Sequence, residues 1–434
     1  MKRQINRLFA AFTALLLLTG GAAASCSGGE SMTYYTPPTG PEKAAITVEP
    51  VSGLPEDFIC GMDASSVLSE ERSGVRYYGF DGQEQDVFLT FALAGINMIR
   101  LRVWNDPYDE QGRGYGGGNN DLAAAAELGL RATKYGMGVC IDFHYSDFWA
   151  DPKRQHAPKA WAGMDVGEKC VALEAFTRES LESLLDAGVD VRMVQIGNEI
   201  NYGLAGESYQ GNILRLLEAG SRAVRAVSAE REREIRIAVH YTNVKDPVEV
   251  RSRAAALERA GIDYDILALS YYPFWDGPAE NMQQLVSALR ERYGREVVIA
   301  ETSYCYTDED GDGFANSVSG RGDIPEGYPA TVQGQASMLR DVIAAASAAG
   351  TAGVFYWEGA WIPVGGREAD NSSLWEEYGS GWASSYAGSY DPEDAGLYYG
   401  GCSWDNQALF DFSGHPLESL KTFRYLRFGA SPDA

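Results

Sequence analysis

The sequence predicts an α/β chain folded as a single catalytic (β/α)8 TIM barrel. Three observations point there. Eight short apolar runs alternate with helix-like segments, the pattern of a parallel sheet joined by crossover helices. The first run opens into Cys60-Gly61-Met62-Asp63-Ala64, without the Gly-rich phosphate turn that an open doubly wound sheet commonly carries there. Each run is also followed by a polar or aromatic residue, as expected where strand ends build a site at one mouth of a closed ring.

In chain order, residues 1–25 read as a signal peptide. Lys2, Arg3 and Arg7 form a basic start, Leu8 to Leu18 an apolar run too short to span a membrane, and Gly20 to Ser25 a small-residue exit. Ala23-Ala24-Ser25-Cys26 resembles a bacterial lipobox, so the exported chain is expected to be lipid-anchored through Cys26 at the bacterial cell surface or outer membrane, or otherwise secreted. The Ser-, Gly-, Thr- and Pro-rich stretch 26–50 reads as a linker, and 51–430 as the catalytic domain. Strands are expected at 58–63, 97–103, 138–143, 193–197, 236–240, 266–270, 297–300 and 353–357, with helices at 121–135, 168–186, 212–228, 280–293 and 331–349. Asp121 can cap the first of these helices, and Gly136 is placed to end it.

A hydrophobic content of 45% over 434 residues allows a sizeable core. The net charge of −25 repels phosphate backbones and anionic surfaces, which argues against nucleic-acid partners, whereas a neutral sugar meets no such penalty. Beyond Cys26, five cysteines show no metal-ligand spacing and no disulfide framework; Cys60 and Cys140 read as small buried hydrophobes. No organic cofactor is implied, and a barrel of this size is expected to act as a monomer.

The residues that follow the eight runs are Asp63, Trp104-Asn105, His144, Asn198-Glu199, His240, Tyr271, Glu301 and Trp357. Strand ends are wet and tolerate polar groups, so it is their convergence that counts. Two carboxyls stand out, Glu199 after the fourth strand and Glu301 after the seventh. Glycoside hydrolysis needs one carboxyl to protonate the leaving oxygen and another to attack or to activate water. Strands four and seven lie nearly across a closed ring, so these groups can flank one bond, and a like charge nearby raises one of their pKa values. Asn198 is placed to hold the sugar's 2-hydroxyl. Tyr271 is expected to hydrogen-bond Glu301, and Asp63, His144 and His240 to bind hydroxyls. Trp104, Trp149, Trp275, Trp357 and Trp361 offer flat faces for sugar stacking, with Trp357 nearest the chemistry.

Several stretches narrow the family: GMDASSV (61–67), GINMIRLRVWNDP (95–107), YGGGNNDL (115–122), DFHYSDFWADPKRQHAPKAW (142–161), IGNEINYG (196–203), AETSYCYTDEDGDGFAN (300–316) and DNQALFDFSGHPL (405–417). Together they resemble the endo-β-1,4-galactanases of glycoside hydrolase family 53, over nearly the whole domain. The resemblance implies hydrolysis of β-1,4-galactan side chains of pectin with retention, Glu199 as acid/base and Glu301 as nucleophile. Another retaining barrel endo-glycosidase, of mannanase or cellulase type, shares these glutamates, and a surface glycan-binding barrel without catalysis is the alternative of another class.

The run Asp308 to Asn316 alternates acidic residues with glycine, which suits either a calcium loop or a solvated turn. The family resemblance implies calcium, with Asp310, Asp312 and Asn316 as ligands and Asp405 joining from a later loop. Phe314 stands where the family often has histidine. Residues 362–404, rich in Gly, Ser, Tyr and Trp, are expected to wall the cleft, with Trp375 and Trp382 at distal subsites.

Overall fold

The structure is a computed structural model that describes residues 34–319 and 322–434; the leader and Cys26 fall outside the described residues. Strands β1 (Ile59–Asp63), β2 (Met98–Val103), β3 (Gly138–Phe143), β4 (Val191–Ile196), β5 (Arg236–Tyr241), β6 (Ile266–Ser270), β7 (Glu296–Thr302) and β8 (Gly353–Tyr356) pair in parallel, and β8 returns to β1 to close the ring. The predicted barrel is the observed fold, and every predicted strand falls on an observed one.

Helices Leu122–Lys134, Val166–Ala187, Gln210–Glu230, Ala279–Tyr293 and Val332–Ala348 cover the ring where the periodicity placed them. Asp121 caps the first by accepting from the Ala124 amide at 2.9 Å, and Asp165 forms a reciprocal capping box with Glu168 on the second. The helix Pro247–Ala260, between β5 and β6, escaped the sequence reading. Its buried face is only Val250, Ala254, Ala256 and Leu257, too thin an apolar stripe to stand out among its charges.

Strand residues alternate between lumen and helix layer. In the lumen, Ile59, Met98, Cys140, Met193, Ala238, Ile266, Val298 and Phe355 form an apolar plug. Phe355 fills the space over Gly61, where a Cβ would lie 2.2 Å from the ring, so this close approach admits glycine alone. Two residues further along the strands the same alternation carries Arg100, Asp142, Gln195 and His240, all buried, to form a polar floor on the plug.

The expected linker is shorter than 26–50. Glu42–Lys43 pairs in parallel with Ala430–Ser431, and Ala44, Ile46 and Val48 bury against Ala336 and Tyr425. Apolar side chains at every second position here are strand-like and outweigh the surrounding Pro and Thr. No described helix is long and apolar enough to cross a membrane.

Candidate active site

The polar floor opens into a cavity of about 490 Å³ at the carboxyl ends of the strands, lined by Asp63, Arg100, Asp142, His144, Asn198, Glu199, Tyr272 and Glu301 and walled by aromatic rings. Arg100 organises the floor. Its guanidinium lies 3.0 Å from Asp63, 2.8 Å from Asp142 and 3.0 Å from Glu301, and it donates to Asn198 Oδ1 at 2.9 Å and Gln195 Oε1 at 3.2 Å. A buried guanidinium with its donors so occupied fixes the planes of several carboxylates at once.

The two candidate glutamates sit in unlike surroundings. Glu301 reaches the lumen because β7 bulges: the register with β6 shifts between Leu269 and Ser270, and Ala300 and Glu301, successive residues, both turn inward. Its carboxylate takes Arg100 on one oxygen and the Tyr272 hydroxyl on the other at 2.9 Å. Burial raises its pKa, and Arg100 and then Tyr272 oppose that rise. Glu199 follows Gly197 (φ +93°) and itself adopts φ +46°, a left-handed turn that throws the side chain back over the cavity. It has no cation. Ser270 donates to its Oε1 at 2.7 Å, and the same hydroxyl oxygen lies 2.9 Å from His240 Nε2. Burial, and next the facing charge of Glu301, push Glu199 up to about 8. One carboxyl is thus paired with a guanidinium, and the other is set to keep its proton at neutral pH.

The remaining expected site residues separate into those in the cavity and those behind it. Asp63, His144, Asn198 and Trp357 line the cavity. His144 accepts at Nδ1 from the Trp104 indole (3.0 Å) and the Ala150 amide (3.2 Å), which leaves Nε2–H to face Asp142 at 3.1 Å. Burial opposes ionisation of Asp142, yet Arg100 and His144 hold its carboxyl below the usual range. Trp104 is fully buried and is not a sugar platform: it packs behind Trp149 and orients His144. Asn105 also stands off the cavity, its amide N–H bonded to the Ser146 carbonyl, because the chain has already turned away past the end of β2. His240, fully buried, is a support rather than a hydroxyl binder: it contacts Asn198 Oδ1 at 2.9 Å and Ser270, and burial and then Arg100 hold it neutral. Tyr271 does not reach Glu301. Its hydroxyl donates to the Gly277 carbonyl, and the neighbouring Tyr272 makes the expected bond, since successive residues at a strand end face opposite ways.

Sequence reasoning passed over Arg100, Arg102, Asp142, Gln195, Ser270, Tyr272 and Glu358. A signal was present for the strand residues: charged or amide groups at alternate positions within otherwise apolar strands must find partners across the lumen. Glu358, buried and at φ +48°, pairs with Arg102, whose guanidinium lies 4.3 Å from the Trp149 ring centroid. Trp149, Trp357, Trp361 and Trp382 line the wall above. The segment 362–404 supplies Trp382, Asp394, Tyr398, Ser403 and Trp404 to the cleft, while Trp375 packs against Gly401, off the cavity.

Asp310, Asp312 and Asp405 bring carboxylate oxygens within 4.8 Å of one another. Asn316 Oδ1 and Asp405 Oδ1 are buried without a hydrogen-bond partner, and among the described residues no Lys or Arg pairs with the three acids. Several hard oxygens with unused lone pairs around one point match the donor set of a divalent calcium ion. The loops after β7 and β8 meet here, with the Gly311 amide on Asp405 (2.9 Å) and the Cys402 amide on Asp312 (2.7 Å).

A sequence model described as Glycosyl hydrolase family 53 matches residues 59–423. The chain is 50% identical over 392 residues to the endo-beta-1,4-galactanase of Bacillus subtilis (strain 168), covering 89% of this chain and 90% of that protein. It is 32% identical over 340 residues to the arabinogalactan endo-beta-1,4-galactanase of Humicola insolens, covering 72% of this chain and 93% of that one. Among solved structures, a family 53 catalytic domain from Ignisphaera aggregans matches with a TM-score of 0.78 at 39% identity, over 88% of this chain and 99% of that domain. A xylanase from Cellvibrio japonicus, at 14% identity and a TM-score of 0.52 over 88% of this chain and 74% of that one, shares the fold alone.

Proposed function

The chain belongs to glycosyl hydrolase family 53, and from that premise we propose that it cuts β-1,4-galactan chains, such as the side chains of pectin, at internal linkages with retention at the anomeric carbon. The observation that carries this reading is the unequal setting of two carboxyls over one cavity: Glu301 beside a guanidinium and a phenol, Glu199 beside hydroxyl groups and a like charge.

Glu301 attacks the anomeric carbon while Glu199 gives its proton to the glycosidic oxygen; the C–O bond breaks and the leaving chain departs as an alcohol. The galactosyl unit is then an ester of Glu301. Glu199, now a carboxylate, takes a proton from water as the water oxygen bonds to the same carbon, and Glu301 is released as a carboxylate. Asp63, His144 and Asn198 stand on the floor to hold hydroxyls of the attacked sugar, and Trp357 offers its ring face above. Glu301→Gln is expected to lower kcat on galactan by several orders of magnitude, and NMR of the first products is expected to show the β-anomer. Initial release of the α-anomer would remove Glu301 as nucleophile. Cleavage of mannan or cellulose with none of galactan would overturn the substrate assignment.

A calcium ion held by Asp310, Asp312, Asn316 and Asp405 would supply structural cross-linking of the loops after β7 and β8 and no part of the bond cleavage. The leader and the lipobox-like Ala23-Ala24-Ser25-Cys26 support export with an anchor in a bacterial membrane.

A further inference from the structure

The line from Glu199, after β4, to Glu301, on β7, divides the ring unequally. β5 and β6 lie on one side; β8, β1, β2 and β3 lie on the other. Of the buried groups able to hold the hydroxyls of the attacked sugar, Asp63, Arg100, Asp142 and His144 belong to β1, β2 and β3 or directly follow β3, and Asn198 follows β4 on the dividing line itself. The attacked sugar therefore sits on that side, and the half of the chain that leaves with the Glu199 proton runs out over β5 and β6. Trp275, just after β6 and 47% exposed, forms the lip of the cavity there.

Tyr202 belongs to the segment that follows β4, the neighbour of β5 in the ring. It is three residues past Glu199, outside the cavity lining, 50% exposed, and yet fixed in place. Its hydroxyl donates to Glu249 Oε2 at 2.8 Å, and the Arg253 guanidinium lies 5.5 Å from its ring centroid. The preceding Asn201 exchanges two hydrogen bonds with the backbone of Thr242, at 3.1 and 2.9 Å. The segment that follows β5 ties these supports to Trp275: Asn243 donates to the same Glu249 oxygen at 2.9 Å, and the Lys245 amide donates to Asp276 at 3.3 Å. Fixing a half-exposed ring costs side-chain entropy with little burial in return. The same fixation favours a ligand that stacks on it, because the ring is already ordered.

We propose that Tyr202 is a platform for the leaving half of a galactan chain, beyond the sugar next to the cut, a proposal that rests on the galactanase reading above. The C–H face of a galactose unit lies on the exposed face of the phenol, and the phenol hydroxyl stays committed to Glu249. The position three residues after the acid gives the leaving chain a second contact besides Trp275.

The test uses the enzyme with Tyr202→Ala and Tyr202→Phe, polymeric galactan, galacto-oligosaccharides labelled at the reducing end, and an aryl galactobioside whose leaving group is too short to reach Tyr202. For Tyr202→Ala, kcat/KM on galactan is expected to fall about tenfold more than on the aryl substrate, the loss that ~1.4 kcal/mol of stacking represents. Cleavage of the labelled oligosaccharides moves toward fragments with shorter leaving halves, and Tyr202→Phe restores most of the rate. Equal loss on both substrates, or an unchanged cleavage position, overturns the platform and leaves Tyr202 a structural residue. Failure of the wild-type enzyme to cut galactan would instead remove the reading beneath it.

Discussion

Glu199 is held in the form that chemistry requires by burial beside a like charge, with no cation among the described residues to pair with it. Burial and the opposing Glu301 charge lift it from 4.5 to about 8, so kcat/KM is expected to fall as pH rises through that value and the acid is lost. The acidic limb belongs to Glu301, and Tyr272→Phe, which removes a donor to its ionised form, is expected to move that limb to higher pH. Stability follows the same proton. The folded chain binds it more tightly than the unfolded chain does, so the contribution of Glu199 is complete below pH 4.5 and fades as pH rises toward 8. Glu199→Gln abolishes this slope, and its Tm advantage over the wild type is expected to widen between pH 5 and 8. A Tm difference constant across that range would mean that Glu199 is not so perturbed. Both glutamates were visible as acids following strands, but what sets them apart was not. Arg100 and Tyr272 come from other strands, and the choice between Tyr271 and Tyr272 turns on a single step of strand alternation that no local pattern marks.

The elements with least regular structure hold the cleft's outer wall. Phe314 and Ser317 come from the loop after β7, Ser403 and Trp404 from the segment after β8, and the acidic cluster ties these two together. Removing calcium with a chelator is expected to lower Tm by several degrees and raise KM on galactan, with added calcium restoring both and Asp405→Ala abolishing the response. Equal Tm with chelator and with calcium would eliminate the site. Legibility differed between elements for a physical reason. The eight strands were readable because burial on both faces makes each mostly apolar, even where Arg100, Arg102 or Asp142 interrupts the run. The helix Pro247–Ala260 was not, since alanines suffice on its narrow buried side. In the segment 362–404, Trp375 and Trp382 look alike in sequence, and only the path of the chain puts one in the cleft and the other against Gly401.

At the scale of the whole molecule, the proposed anchor would join an acidic barrel to a short leash. With a net charge of −25 the chain gains nothing from an anionic lipid surface, so residence at a membrane would rest on the proposed lipid at Cys26. The docked amino-terminal segment bears on how far the barrel can stand from it. Tyr34 packs against the barrel core and meets Tyr135 edge-on at 5.1 Å, and the Thr36 carbonyl accepts from Arg424, so attachment to the domain begins well before residue 50. Between Cys26 and Tyr34 the covalent reach is at most about 30 Å, at roughly 3.5 Å per residue. An enzyme anchored in this way would meet polymer arriving at the cell rather than polymer in the medium. Cys26→Ser is expected to move galactanase activity from the membrane fraction to the soluble one while kcat/KM on short galacto-oligosaccharides stays within about twofold, because the docked strand Glu42–Lys43 does not line the cleft. Activity that stays with the membranes in the Cys26→Ser protein would show that something other than this lipid holds it there.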